Sequence, residues 1–264
     1  MKHPMRTVAA LSAALMAAGA ALAMFGAAGG GSAQGSLVRG LLDTLHIGGN
    51  RSAYALASAE AEPGKTYGLC VEAGAGEFTV AVGDEFRVDA SRPDAVEAQM
   101  DGDTFRVRTK NAWGGLFGGG LSVAVTVPRD VQWGEVTLDV DAGSLDVEGL
   151  AAQTLACSVD AGSMELRDMA AADGARFSVD AGGLSFAGAL AGQVEVSVEA
   201  GGAELDAVSP AGYGYAIEGS LGAVTLNGET AQGLEYARSE NPDADTFYTF
   251  ACSVGSIEAD VRTQ

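Results

Sequence analysis

The sequence predicts an all-β fold: a single-chain β-solenoid of stacked two-strand coils, period about 19–20 residues, with a β cap and one N-terminal membrane helix or signal segment ahead of it. Three observations carry this expectation. The phrase DVDAGSLDV returns almost unchanged as SVDAGSMEL, SVDAGGLSF and SVEAGGAEL. Apolar and polar residues alternate around each copy, as in a strand with one buried face. Glycine makes up 38 of 264 residues, about twice its ordinary ~7% share, yet without a Gly-X-Y period and beside a 47% hydrophobic fraction. Collagen and disorder are excluded; a turn-rich β protein is not.

The first thirty residues carry Lys2 and Arg6 and then no charge until Arg39. The apolar run from Thr7 to about Ala28 is longer than the ~7–15 residues of a signal-peptide core and approaches the ~20 that span a bilayer. An uncleaved anchor is the favoured reading, with a cleaved signal peptide ending near Gly31-Ser32-Ala33 as its competitor. With Lys2 and Arg6 held inside, either version puts the rest of the chain outside the cytoplasm. The organisation that follows is 1–34 as anchor or signal peptide, 35–66 as connector, 67–134 as an N-terminal β cap region and 135–262 as solenoid repeats. In the connector, Leu37, Leu41, Leu42 and Leu45 fall on one side of a short amphipathic helix.

The cap region opens with CVEAGAGEFTV, in which Glu72-Ala73-Gly74 matches Glu199-Ala200-Gly201. Alternating segments EFRVDA, DTFRVRT and LSVAVTV follow, broken by turn-rich stretches. One of these, NAWGGLFGGG, shows Trp113, Leu116 and Phe117, read as side chains folded back over the cap, with a partner-binding or membrane-touching tip as the alternative.

Within the repeats the aligned acids are Asp141, Asp160, Asp180, Glu199 and Glu218, at successive spacings of 19, 20, 19 and 19. A fixed period near twenty marks a stacked repeat. The residue before each acid is Val140, Val159, Val179, Val198 or Ile217; two earlier stand Leu138, Cys157, Phe177, Val196 and Tyr215; six after it stand Val147, Leu166, Phe186, Leu205 and Val224. Each unit reads as strand, turn, strand, turn. Stacking buries what one unit cannot, at ~4.8 Å between like strands. The glycine two places after the acid is expected to supply a positive φ, and the aspartate an Asx-turn. A calcium-binding ladder is the rival reading, but calcium wants six to eight oxygens and the G-G-x-G-x-D word of calcium-binding solenoids is absent. The period lapses after residue 226, where the polar stretch from Ala237 to Asp245 reads as a surface loop, and CSVGSIEADV resumes it at Cys252, one residue shorter at the corner.

Chemistry-bearing motifs are missing. The two histidines, His3 and His46, precede the repeats, which removes Ser-His, Cys-His and His-metal sites from them. Neither G-x-S-x-G, Walker, nor H-E-x-x-H words occur. Between Arg129 and Arg238 the basic residues are Arg167 and Arg176 alone, which leaves no basic cluster of the kind polysaccharide-cleaving β-helices need. Cys70, Cys157 and Cys252 form no framework and read as small core residues, Cys157 and Cys252 in one column. No catalytic, metal or cofactor residue is therefore assigned. With 15 basic and 35 acidic residues the formal charge is −20, which repels nucleic acid.

The succession VEAGAGEFTVAVGDEFRVDA, DTFRVRTK, LSVAVTVPRDVQWGEVTLDVDAGSLDVEGL, the iterated SVDAGS and the closing SVGSIEADV resembles the bacterial β-strand-repeat domain of unknown function called toastrack, or "putative adhesin", from about Tyr67 to Val261. The chain departs from that pattern by writing DAGS, DAGG and EAGG at its corners. The resemblance implies a membrane-tethered module of the cell envelope with a structural, adhesive or interaction role and no established catalytic residues. An envelope-stress sensor partnered with membrane proteins is the alternative, and a carbohydrate-active enzyme a weaker one. The expected partner is a protein or another envelope component, and the expected location the cell membrane, single-pass with an extracytoplasmic C-terminal domain, or secretion after signal cleavage.

Overall fold

The computed structural model describes residues 54–110 and 120–264. The N-terminal segment, the connector helix with its leucines, and the Trp113, Leu116 and Phe117 turn lie outside the described residues. Among the described residues no helix is long and apolar enough to cross a membrane.

Twenty strands and one 3-10 turn, Pro93–Ala95, make up the described chain. The strands are β1 (Tyr54–Ala59), β2 (Thr66–Ala73), β3 (Glu77–Gly83), β4 (Phe86–Ala90), β5 (Val96–Asp101), β6 (Thr104–Thr109), β7 (Ser122–Pro128), β8 (Gln132–Val140), β9 (Ser144–Glu148) and β10 (Ala151–Val159). They continue as β11 (Ser163–Val179), β12 (Gly183–Leu190), β13 (Gln193–Val198), β14 (Gly202–Ser209), β15 (Tyr213–Gly219), β16 (Ala223–Leu226), β17 (Glu229–Gln232), β18 (Tyr236–Glu240), β19 (Thr246–Cys252) and β20 (Ser256–Thr263).

Two ladders of parallel strands run through the stack. The first orders β6, β2, β8, β10, the second half of β11, β13, β19 and β15. The second orders β7, β3, β9, the first half of β11, β12, β14, β20 and β16. Antiparallel strands close the ends: β5 on β6, β4 on β7 and β1 on β4 at one end, β18 on β15 and β17 on β16 at the other. A terminal strand of reversed direction ends a repeat that would otherwise invite another coil.

Spatial order departs from chain order at both ends. The coil β2–β3 sits between β6–β7 and β8–β9, and the last coil, β19–β20, is inserted between β13–β14 and β15–β16. The stack thus draws two full coils from the stretch 67–134 that the sequence reading assigned to the cap. The polar stretch Ala237–Asp245, expected as a loop, begins instead within β18. An edge strand with one neighbour and two wet faces carries no apolar alternation, so its sequence looks like a loop.

The core is a set of columns, one residue per coil. Val107, Val71, Leu138, Cys157, Phe177, Val196, Phe250 and Ile217 form one of them. Val125, Val80, Val147, Leu166, Phe186, Leu205, Ala259 and Leu226 form another in the second ladder. At the cap end Phe86 packs on Tyr67, Phe105 and Trp133, with ring centroids 5.1, 5.0 and 6.1 Å away.

Several sequence alignments are corrected by two residues. Glu72 pairs with Asp139 and not with the corner acids; Glu218 pairs with Ala251; Tyr215 and Ile217 share columns with Val194 and Val196; Val224 aligns with Ile257 and Ala203 rather than Leu205. Cys252 pairs with Val198, in the column of Val159 and not of Cys157, and its corner, Ser253 to Ser256, matches Glu199 to Gly202 residue for residue, so it is not shortened. A strand repeats every two residues, so a slip of two keeps every side chain on its own face and the hydrophobic pattern cannot detect it.

Candidate functional site

The acid-Ala-Gly corner joins β8 to β9, β10 to the first half of β11, the second half of β11 to β12, and β13 to β14. Backbone bonds stack these corners: the amides of Ala161, Ala181, Ala200 and Val254 donate to the carbonyls of Asp141, Asp160, Asp180 and Glu199 at 2.7–2.9 Å. The rung after Glu199 is therefore Ser253, then Ser220, and Glu218 leaves the acidic row. Asp141, Asp160, Asp180 and Glu199 are exposed, at strand spacing of ~4.8 Å.

The expected Asx-turns are absent: these four carboxylates accept no hydrogen bond and join no ion pair within the described residues. Among the described residues no group of three or more His, Cys, Asp or Glu is arranged to hold a metal ion.

The corner glycines also act differently from expectation. Gly143, Gly162, Gly182 and Gly201 do not adopt positive φ. Each instead presses against the coil before it. A Cβ on Gly162 would strike the Gly143 carbonyl oxygen and Val140 Cγ1, and one on Gly182 or Gly201 would meet the same pair of neighbours one coil on. Gly76, Gly143, Gly162, Gly182, Gly201, Gly255 and Gly222 make one continuous row, six of whose carbonyls accept from the next coil at 2.8–3.1 Å. In these middle coils positive φ falls at the other corner, at Gly149 (81°) and Asp168 (52°), whereas at the ends of the stack the glycine corner has it at Gly76 (148°) and Leu221 (62°).

Outward columns repeat short side chains. Arg108, Glu72, Asp139, Ser158, Ser178 and Ser197 succeed one another along the first ladder. Arg106 bonds Glu72 at 3.3 Å and Arg108 bonds Glu97 at 2.9 Å, so these two carboxylates are paired with cations. Asp139 is not: partial burial, then Glu72, Asp141 and Asp160, hold its carboxyl above the usual range. Asp146 is raised likewise, by burial and then Glu165, although Arg167 opposes this.

The C-terminal end gathers unlike groups, which the sequence reading passed over. Asn227 Nδ2 donates to the Tyr213 hydroxyl at 2.7 Å, the Tyr215 hydroxyl to Glu240 at 2.9 Å, and Arg238 to Glu229 at 2.6 Å while lying 5.7 Å over the Tyr215 ring. These groups border a shallow cleft of about 420 Å³. The signal that locates them is Asn227-Gly228, whose φ values of 50° and 81° make the two-residue hairpin turn between β16 and β17. Their bonds are internal, tying both capping strands to the stack. A second cleft, of about 500 Å³, lies between β15, β18 and β19, with Glu218, Glu235 and Tyr236 among its walls.

The toastrack DUF4097 family model matches residues 81–239, more than half of the chain. The chain belongs to the toastrack family. Within this toastrack protein the matched span covers both corners of every chain-consecutive coil from β8 to β16, and stops before the inserted C-terminal coil. No curated protein matches the chain. Among solved structures, a "putative cell adhesion protein" from Clostridium sporogenes is similar at 14% identity and a TM-score of 0.47, covering 80% of this chain and 100% of that one. A "putative adhesin" from Bacteroides fragilis is similar at 10% identity and a TM-score of 0.33, covering 80% and 98%.

Proposed function

We propose that this toastrack protein is a non-enzymatic, membrane-tethered module of the bacterial cell envelope, displayed outside the cytoplasm and used for structure, adhesion or interaction. One observation carries the reading. Along the middle coils the outward column repeats short polar groups, as Asp139, Ser158, Ser178 and Ser197 do, and the unlike groups gathered at the C-terminal end are bonded to one another. Such a surface offers a long regular face rather than a reaction centre. Lys2 and Arg6 ahead of the apolar run to Ala28 supply the tether and its direction.

The test is fractionation joined to N-terminal sequencing. The expected chain retains Lys2, sediments with membranes and is digested by protease added to spheroplasts. A mature N-terminus near Gln34 with soluble exported protein overturns the tether, and protease protection overturns the extracytoplasmic placement.

A further inference from the structure

We propose that the C-terminal corner of the stack is a docking site for a cationic, apolar peptide segment of a partner protein; this deepens the interaction-module reading and rests on it. The exposed large apolar residues among those described are Met100, Leu221, Leu234 and Val254, the last three exposed by 67%, 81% and 50%. Those three come together. Val254 follows Ser253 on the β19–β20 corner, Ser220 N donates to Cys252 O at 3.0 Å to lay the next corner on it, and Leu221 N donates to Gly233 O at 3.0 Å, beside Leu234.

The corner column makes this patch conspicuous. Its earlier rungs are Ala142, Ala161, Ala181 and Ala200, each exposed and minimal; only its last two rungs, Val254 and Leu221, are bulky. Leu221 also has φ of 62°, a conformation that suits glycine or asparagine and strains a bulky side chain. An exposed leucine in a strained backbone contributes nothing to the core, and such outliers concentrate where chains bind.

Beside the patch lies the cleft of about 500 Å³, lined by Glu218, Gly219, Glu235, Tyr236, Ala237 and Ala251 among others. Among the described residues Glu218 and Glu235 join no ion pair, whereas Glu229 and Glu240 of the same cap are held by Arg238. Two unneutralised carboxylates beside three exposed apolar side chains are complemented by lysine or arginine adjoining leucine-like residues. A second copy would bring the same carboxylates face to face, and anionic lipid meets a chain of formal charge −20.

The probe is acetyl-Lys-Leu-Lys-Leu-amide, titrated against the full-length protein with acetyl-Glu-Leu-Glu-Leu-amide and acetyl-Lys-Ser-Lys-Ser-amide as controls. Saturable binding of the first peptide alone is expected. Affinity should fall about tenfold or more in Leu221→Asn with Leu234→Ser, and again in Glu218→Gln with Glu235→Gln. Asp160→Asn with Asp180→Asn removes equal charge several coils away and should leave it unchanged. Equal loss in all three variants, equal binding of the serine peptide, or no saturable binding overturns the site. So does concentration-dependent self-association, or flotation with zwitterionic vesicles, that the leucine variants abolish. Should the leucine pair unfold the chain, the glutamine pair decides alone. If the peptide fails while cross-linking in intact envelopes still captures partners through the repeat domain, the cleft is discarded and the module reading stands.

Discussion

Phe177 on β11 and Phe186 on β12 meet inside a single coil, their ring centroids 5.3 Å apart and their planes inclined at 58°. Each belongs to a different ladder, so this contact fastens the two faces of the stack together. Tilted aromatic pairs at this distance are attractive beyond their buried area.

Truncating either ring should therefore be severe. Phe177→Ala or Phe186→Ala is expected to cost about 3–5 kcal/mol, read as a fall in denaturation midpoint. Ser178→Ala, one residue along and facing outward, should change little. Equal losses at Phe177 and Ser178 would contradict the observed faces.

The corner glycines make a sharper test. Gly162→Ala drives a methyl into the Gly143 carbonyl and Val140, and should destabilise by about 1–3 kcal/mol or more. Gly183→Ala adds the same methyl with nothing within 4 Å and no positive φ, so its melting temperature should stay near that of the parent. A tolerated alanine at 162 would mean the coils are not in close contact there.

Acidification should stabilise the protein through Asp139. Its folded carboxyl is held above the ordinary value of ~3.9 by burial and by Glu72, Asp141 and Asp160. The folded state therefore binds that proton more tightly than the unfolded state. The resulting stability is full below the unfolded pKa and is lost as pH rises through the raised one. Asp139→Asn should raise the melting temperature at pH 7 and shrink the parent's gain on lowering pH toward 4.5. A larger gain in the variant would reverse the sign. Asp160→Asn should be mild, since that exposed carboxylate bonds nothing among the described residues.

All three cysteines are free and buried. Cys157 and Cys252 stand three coils apart in different columns, roughly 14 Å at ~4.8 Å per coil, beyond the ~6.8 Å Cα limit for a bridge. Burial, and then Asp139, push the Cys157 thiol well up. Thiol reagents should leave Cys157 unmodified until the chain unfolds, and non-reduced peptide mapping should find no Cys157–Cys252 link.

The repeat was legible because identical words such as SVDAG and SVEAG fixed its middle register. Its ends were not. Glu72, Glu218 and Cys252 stand two residues from the sequence alignment, since apolar alternation constrains which face a residue takes but not which column it joins. Nor does alternation record spatial order: β19 pairs with β13 and β15 through ordinary Phe and Tyr columns that would fit any neighbour. At the corner, glycine was rightly singled out for the wrong cause, because a close approach between coils exists only once the coils are stacked. The C-terminal clefts lay beyond reach for a related reason, as β17 and β18 are edge strands whose polar faces imitate a loop.

Inserting the last coil beneath its predecessor also fixes a timetable. The segment β15–β18 is synthesised before β19 and β20, yet it joins β13 and β14 only through them. At the opposite end β2 and β3 are made early and wait for β6–β7 on one side and β8–β9 on the other. A solenoid built strictly in chain order could crystallise coil by coil on the ribosome. This one completes its N-terminal end only once β8 and β9 have emerged and its C-terminal end only once β19 and β20 have, so each end closes by a slow, non-local step rather than by simple addition of the next coil.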